Sequence, residues 1–196
     1  MLKAVTTPTI EEVVLLDHNG SAVGRADKSR IHTMDTPLHS AFSIFLFNRS
    51  GEMLVQQRAW SKKTWPGIWS NACCGHPLPG EPLEVAAHRR LGDELGLHKI
   101  KLTLALPNFR YRAEYLGVVE NEICPVFIGF CEAIPQNNPN EVAATDWIDW
   151  EAFVENDPRF ADYSPWSKWE AEQLAQSPLL AALVGGDLSD CPLLYS

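Results

Sequence analysis

Apolar residues fall in short runs separated by turn-forming clusters, and the runs carry two different periods. Residues 13–16 are apolar and end at Asp17-His18-Asn19-Gly20. An Asn-Gly pair after such a run signals a hairpin turn, so residues 22–24 are the expected return strand. Residues 41–47 form a strong strand stopped by Asn48-Arg49-Ser50-Gly51, with 53–57 as its hairpin partner. Helical periodicity is clearest over 81–95, where Leu83, Ala87, Leu91 and Leu95 recur at every fourth position. Pro82 suits the first turn of that helix and Gly96 its C-cap. Residues 118–130 read as one strand interrupted by Pro125, which predicts an edge or a bulge there. A short strand is expected over 146–150. Ser164-Pro165 reads as the N-cap and first turn of a last helix through about Ala175. The tail from Ser177 receives no element. Strands and helices interleave without regular βαβ spacing. That predicts an α/β (α+β) fold with a mixed β-sheet sandwich flanked by helices, and no doubly wound sheet.

No repeat, low-complexity tract or Gly/Ser linker divides the 196 residues, and 21.9 kDa is room for one full core. A single domain over 1–196 is expected, with a core of about 11–175 and extensions at 1–10 and 176–196. Lys plus Arg is 16 against 25 for Asp plus Glu, a net charge of −9. This balance argues against broad nucleic-acid or anionic-membrane binding, but a local basic pocket for a small anion survives it. No apolar run approaches the ~20 residues of a membrane span. The N-terminal MLKAVTTPTIEE has no apolar signal region, so secretion is not expected. The cysteine count is five, an odd number, and Cys73 and Cys74 are adjacent. Free thiols in a reducing cytoplasm are the expectation. A monomer is the default oligomeric state.

The most specific signal is the 81–95 helix with the loop before it. GHPLPGE starts at Gly75, seven residues lead to Arg89, and Arg90-Leu91-Gly92-Asp93-Glu94-Leu95-Gly96-Leu97 follows. This resembles the Nudix box, G-x5-E-x7-R-E-U-x-E-E-x-G-U with U aliphatic. Gly75, Glu81, Arg89, Leu91, Glu94, Gly96 and Leu97 match in register, while Arg90 stands in place of the first paired Glu and Asp93 replaces another. In Nudix hydrolases those carboxylates gather Mg²⁺ ions that activate water on a diphosphate. An arginine among them weakens metal-assisted hydrolysis and adds a cation that can hold a diphosphate. The departure therefore points to a diphosphate that is bound but not cut.

Three histidines, His32, His39 and His76, lack a compact helical metal spacing. Each alone reads as an ordinary surface or core residue. Glu120-Asn121-Glu122 changes this, because carboxylates at i and i+2 share one face of an otherwise apolar strand. Buried carboxylates need a metal, a proton or a basic partner. Three imidazoles and two carboxylates would suit Mn²⁺, Zn²⁺ or a similar ion. Arg58, Lys62 and Lys63 cluster in QRAWSKKTWPGIWS, Lys28 and Arg30 lie near His32, and Arg110 and Arg112 flank Tyr111. Basic residues near such ligands suit an anionic substrate. Trp60, Trp65 and Trp69 are expected in the core or a pocket wall.

The blocks LHSAFSIFLFN, QRAWSKKTWPGIWSNACCGHP, FRYRA, VVENEICPVF and SPW resemble the metal-dependent (type I) isopentenyl-diphosphate isomerases, a branch of the Nudix fold. The resemblance covers about residues 11–170. It implies that Cys74 is the catalytic thiol, Cys73 having no such tie, and that Glu122 is the catalytic carboxylate on the opposite face of the substrate, with Tyr111 hydrogen-bonding near it. It further implies that His32, His39, His76, Glu120 and Glu122 bind a first divalent ion. Glu94 would hold Mg²⁺ bridged to the diphosphate with the Cys74 backbone carbonyl. Lys28, Arg58, Lys62 and Arg90 would grip the diphosphate, and Trp166 would wall the hydrocarbon pocket. The implied reaction protonates C4 of isopentenyl diphosphate, builds charge at tertiary C3 and removes a proton from C2. A thiolate at Cys74 is expected with modest tuning of a thiol pKa of about 8.5. Which group is acid and which is base the residues leave open. The competing readings are a Nudix diphosphate hydrolase and a non-catalytic metal- or prenyl-diphosphate-binding protein.

Overall fold

A computed structural model describes residues 11–184 of the protein. The N-terminal decade examined for a signal, the end of the unassigned tail and Cys191 lie outside the described residues. β1 (Glu12–Leu16) and β2 (Ala22–Asp27) make the expected hairpin, with Gly20 at φ 84 in the turn. There Asp17 Oδ1 accepts from the N–H groups of Asn19 and Ser21 at 2.9 and 2.8 Å. A one-turn helix α1 (Lys28–Ile31), capped by Asp27, follows. The chain then runs through β3 (His39–Ser40), β4 (Phe42–Phe47), β5 (Glu52–Arg58), β6 (Trp69–Asn71), β7 (Cys73–Gly75) and α2 (Leu83–Leu95). It continues with β8 (Leu102–Leu106), β9 (Arg110–Tyr115), β10 (Val118–Ile123), β11 (Val126–Phe130) and β12 (Val142–Asp149). Helices α3 (Trp150–Val154), α4 (Pro165–Leu174) and α5 (Pro178–Val184) close it. No helix among the described residues is long and apolar enough to cross a membrane.

One sheet has the order β2-β1-β3-β10-β9 and the other β12-β5-β4-β11-β8, with β6 on β5 and β7 on β4. The pairs β3–β10 and β4–β11 are parallel and the others antiparallel, so both sheets are mixed. Every residue of β4 is buried. Phe42, Ile44 and Leu46 share a core with Ala86, Ala87, Leu91 and Leu95 of α2. Phe45 and Phe47 share the opposite one with Phe153 of α3, Ala171 and Leu174 of α4 and Leu180 of α5. A strand covered by helices on both faces reads as a continuous apolar run, which is why this segment shows no alternation.

Four expectations change. Residues 118–130 are not one strand with a bulge or edge: β10 and β11 belong to different sheets, and Pro125 lies where the chain crosses between them. A residue without an N–H is tolerated where the ladder is handed over. The 41–57 hairpin also opens: β4 and β5 meet at Phe47 and Met53, beyond which β7 takes β4 and β6 takes β5. Turn residues mark where a hairpin closes but carry nothing about strands inserted from further along the chain. Pro82 occupies the N-cap of α2 in extended conformation, one place before the first turn, and α4 is followed by α5 within the tail that received no element.

Gly96 ends α2 at φ 63, and a Cβ there would lie 2.9 Å from Cβ of Gln136. Gly96→Ala should therefore lower stability by more than about 1 kcal/mol, read as a lower denaturation midpoint at unchanged m-value. An unshifted midpoint would show that the helix end relaxes freely.

Candidate active site

The parallel pairing of β3 and β10 sets Glu122 opposite His39, and the antiparallel pairing of β10 and β9 sets Tyr111 opposite Glu122. Glu120 and Glu122 share a face as the strand period requires, and both are buried. His32 arrives just after α1 and His76 just after β7. His76 Nε2 lies 3.0 Å from Glu122 Oε1, and His39 Nε2 lies 3.4 Å from the same oxygen and 3.2 Å from His76 Nε2. His32 Nε2 is 3.0 Å from Glu120 Oε2. Donor atoms of His32, His39, His76 and Glu122 all fall within 4.8 Å of one another. The five residues expected to gather here are together.

The donor set fits a divalent cation on its own chemistry. His32 Nε2 and Glu120 Oε2 are buried and close, yet neither has hydrogen-bond geometry, and His76 Nδ1 is also buried without a partner. Unsatisfied buried polar atoms are rare in folded proteins, and nitrogen and oxygen donors at this spacing are what a divalent ion satisfies. The Nδ1 of His39 lies 2.9 Å from the Pro37 carbonyl, which assigns the proton to that nitrogen and orients the ring. Burial opposes ionisation of Glu122, but hydrogen bonds and charge from His39 and His76 outweigh it and hold the carboxyl well below its usual range. Burial pushes His76 down to about 3 against the pull of Glu122. At His39 burial acts downward too, but the pull of Glu122 wins and raises it.

Cys74 and Cys73 show opposite faces of β7. Cys73 is fully buried in the core shared with α2, whereas Cys74 lines the cleft. The Cys74 Sγ is 3.2 Å from Ser43 Oγ and donates to Asn71 Oδ1 at 3.3 Å. Burial first, then the charge of Glu170, raise the thiol to about 12, while Ser43 and Asn71 pull it down. Burial thus works against the thiolate expected with modest tuning, and Ser43 and Asn71 work for it. Sequence spacing shows neither the burial nor Glu170, which sits fully buried on α4 with Cys124 Sγ 3.9 Å from its Oε1. Burial and the Glu122 charge keep Tyr111 a phenol, and it donates to Glu122 Oε2 at 2.8 Å.

A cleft of about 590 Å³ is lined by Cys74, Tyr111, Glu122 and Trp166 and also by Lys28, Arg58, Lys62 and Arg90. Most of the cations have carboxylate partners already. Lys28 Nζ is 2.7 Å from Glu11, Lys62 pairs with Glu141, and Arg90 reaches Glu141 at 3.1 Å. Arg90 Nε also donates to Glu94 Oε1 at 3.1 Å, and Gln56 donates to Glu94 Oε2 at 3.0 Å. The arginine that replaces a carboxylate of the motif therefore engages the carboxylate that remains. Gly75 opens the motif because a Cβ there would meet Phe42 Cζ at 2.9 Å and Arg90 Cγ at 3.0 Å. Arg89 forks onto Glu81 at 2.8 and 2.7 Å and braces the loop outside the cleft lining.

Arg58 lines the cleft and also braces the loop beside it. Its Nε donates to the Trp65 carbonyl at 3.2 Å and Nη2 to the Thr64 carbonyl at 3.0 Å. Trp65 sits at φ 50, a conformation that costs roughly 1–3 kcal/mol for a residue with a side chain. Trp60, expected in core or wall, is 71% exposed. Lys63 joins the cleft, but the Arg30, Arg110 and Arg112 side chains lie outside its lining. Sequence reading passed over Ser43, Asn71, Glu11, Glu141 and Glu170. Single polar residues in loops or apolar strands carry no spacing signal, and only strand pairing brings them to the site.

Residues 37–169 match the NUDIX domain. An isopentenyl-diphosphate Delta-isomerase of Saccharopolyspora erythraea is 56% identical over 145 residues, covering 74% of this chain and 75% of that protein. One of Rhizobium rhizogenes is 46% identical over 176 residues, covering 89% and 78%. A Deinococcus radiodurans crystal structure superposes with TM-score 0.67 at 18% identity over 84% of this chain and 99% of that one. The MutT protein of Methanosarcina mazei gives 0.59 at 18% identity, over 71% and 94%. At such identities the two structures speak to the fold alone, which is the mixed-sheet sandwich expected.

Two outcomes are expected of the site as described. Zn²⁺ or Mn²⁺ at a hundredfold its Kd should stabilise the protein by about 2.7 kcal/mol, seen as a raised melting temperature that His39→Ala abolishes. No shift in the unaltered protein would mean that the cluster does not hold these ions. Iodoacetamide at pH 8 should label metal-free Cys74 roughly a thousandfold more slowly than free cysteine, and the rate should climb about tenfold per pH unit. A plateau near pH 9 would show an ordinary thiol.

Proposed function

The chain belongs to the NUDIX family and, within it, to the isopentenyl-diphosphate Delta-isomerases, and we propose how its residues divide the reaction. It converts isopentenyl diphosphate to dimethylallyl diphosphate. A proton is added at C4, positive charge builds at C3, and a proton is lost from C2, so atoms and charge balance within one molecule. Protonating an unactivated alkene demands a positioned acid and a dry site. The observation that carries this reading is the single cleft that joins a thiol and a carboxylate–phenol pair to a cluster of cations.

We assign Glu122 with Tyr111 to one face of the substrate and Cys74 to the other. The phenol O–H lies on the carboxylate at 2.8 Å, so this pair holds a proton ready to deliver to C4. Cys74 takes the proton from C2. Cys74 must act as the thiolate, a form that burial opposes and that Ser43 and Asn71 favour; we place the proton it sheds on Glu122, so that one proton leaves the Glu122–Tyr111 pair for C4 and one returns to Cys74 from C2. Trp166 is 3% exposed and stacks with Tyr111 at 5.8 Å between ring centroids. An indole face there stabilises a tertiary cation by roughly 0.5–2 kcal/mol. Lys28, Lys62 and Arg90, with the charge of Arg58, hold the diphosphate. Its binding redistributes cations from Glu11, Glu141 and Glu94 onto phosphate oxygens.

Two ions complete the assignment. His32, His39, His76, Glu120 and Glu122 would hold Mn²⁺ or Zn²⁺, both of which accept imidazole and carboxylate ligands. Glu94 and the Cys74 backbone carbonyl offer oxygen donors for Mg²⁺ together with the diphosphate. When bound, the first ion would polarise the Glu122 carboxyl group, and the second would neutralise charge on the diphosphate, which the substrate keeps. Arg90 in the motif opposes hydrolysis, because it engages Glu94 with a guanidinium where a second carboxylate would recruit metal.

Purified protein with isopentenyl diphosphate and Mg²⁺, with and without Mn²⁺, should yield acid-labile dimethylallyl diphosphate and no free phosphate. Phosphate release, or no reaction in metal-replete protein, would overturn the assignment in favour of hydrolysis or binding. Cys74→Ala and Glu122→Gln should each lower kcat by at least ~10³-fold with the fold intact. Cys73→Ala should keep its activity, and a dead enzyme there would mean that the other thiol reacts.

A further inference from the structure

The loop 59–68 touches both ends of the cleft. Its Ser61, Lys62, Lys63 and Thr64 line the cationic end. The next residue, Trp65, turns inward, is 4% exposed, and packs in one apolar cluster with Trp166 and Ala113. Its ring stands edge-on to Trp166 at 4.9 Å and 84°, and stacks on Tyr115 at 4.7 Å and 19°. Trp166 lines the cleft and Trp65 does not, so Trp65 stands behind it.

Local preference does not explain this placement. Trp65 has φ 50, and its indole N–H is buried without a partner. What holds it is Arg58, through Nε to the Trp65 carbonyl and Nη2 to the carbonyl and hydroxyl of Thr64 at 3.0 and 3.2 Å. Gln57 adds a bond from Nε2 to the Gly67 carbonyl at 3.0 Å. Gly67 leaves room for the Trp60 ring, which a Cβ would meet at 2.3 Å. The loop is thus pinned from β5 at several points, and an aromatic pair in such packing cannot yield without moving the backbone.

We propose that Trp65 is a specificity-determining residue that backs Trp166 and limits the size of the branch at C3, and that Arg58 is its positioning residue. This rests on the reaction proposed above. One methylene in an apolar pocket discriminates by roughly 10–200-fold, so a substrate with an ethyl group in place of the C3 methyl is rejected by a wall that does not move. A lysine at 58 keeps the charge but lacks the planar fork that reaches two carbonyls.

The test compares kcat/KM for isopentenyl diphosphate and its C3-ethyl homologue in the unaltered protein, Trp65→Phe, Trp65→Ala and Arg58→Lys, with inorganic diphosphate as competitive inhibitor. Trp65→Phe and Arg58→Lys should both move the ratio roughly tenfold toward the ethyl homologue, and the Ki for diphosphate in Arg58→Lys reads separately the part of Arg58 in holding the anion. Trp65→Phe preserves an aromatic ring, so it keeps the test open if the alanine variant fails to fold. An unmoved ratio in a folded Trp65 variant overturns the proposal. A weakened Ki with an unmoved ratio in Arg58→Lys makes Arg58 a phosphate ligand alone. Failure of the unaltered protein to isomerise isopentenyl diphosphate would instead sink the reaction assignment, which the same assay reads separately.

Discussion

Two neighbouring parallel strands change sheets at the same level, and the site depends on that crossing. β3 continues into β4 at Ala41, and β10 into β11 at Pro125. The Ala41 N–H donates to the Ile123 carbonyl at 3.0 Å and the Ser43 N–H to the Pro125 carbonyl at 3.1 Å, so the ladder survives the transfer. Before the crossing the pair presents His39 and Glu122, and just after it Ser43 meets Cys74 of β7. His39 and Glu122 thereby sit on one ribbon, and β7 pairs the thiol onto its continuation, while His32 and His76 reach the cluster from just after α1 and β7.

An acidic chain can still build a cleft for an anion because its charges are sorted in space. Carboxylates at Glu11, Glu94 and Glu141 each neutralise a cation in the cleft. Buried charge without a partner is expensive, and these pairs keep the empty cleft stable until a phosphate competes for the cations. The opposite end is walled by Trp166 and Tyr111, with Trp65 packed behind Trp166 and with Glu122 and Tyr111 tied together. Net charge describes neither end.

Much of this was legible in the chain. The β1–β2 turn, the apolar run of β4, the α2 periodicity with its Gly96 cap and the Ser164-Pro165 start of α4 all lie where local rules place them. The pairing of Glu120 with Glu122 was readable as an i, i+2 face, and Lys28, Arg58, Lys62 and Arg90 line the cleft. Local rules did not reach Pro125 as a sheet crossing, the insertion of β6 and β7 into the β4–β5 hairpin, or the burial of the Cys74 thiol. Each depends on contacts between residues far apart in sequence. Arg58 is the clearest case: its type announced a cation for the cleft, which it lines, but not its bonds to the Thr64 and Trp65 carbonyls.

The antiparallel match of β7 to β4 has a consequence for how the protein can go wrong. Ser43 faces Cys74 and Ile44 faces Cys73, with consecutive side chains on opposite surfaces. Sliding β7 by a single residue would present the other sulfhydryl to the cleft and drag His76 out of its cluster. Strand alignment during folding therefore decides which of two adjacent sulfur atoms the cleft receives, although the two residues are chemically identical.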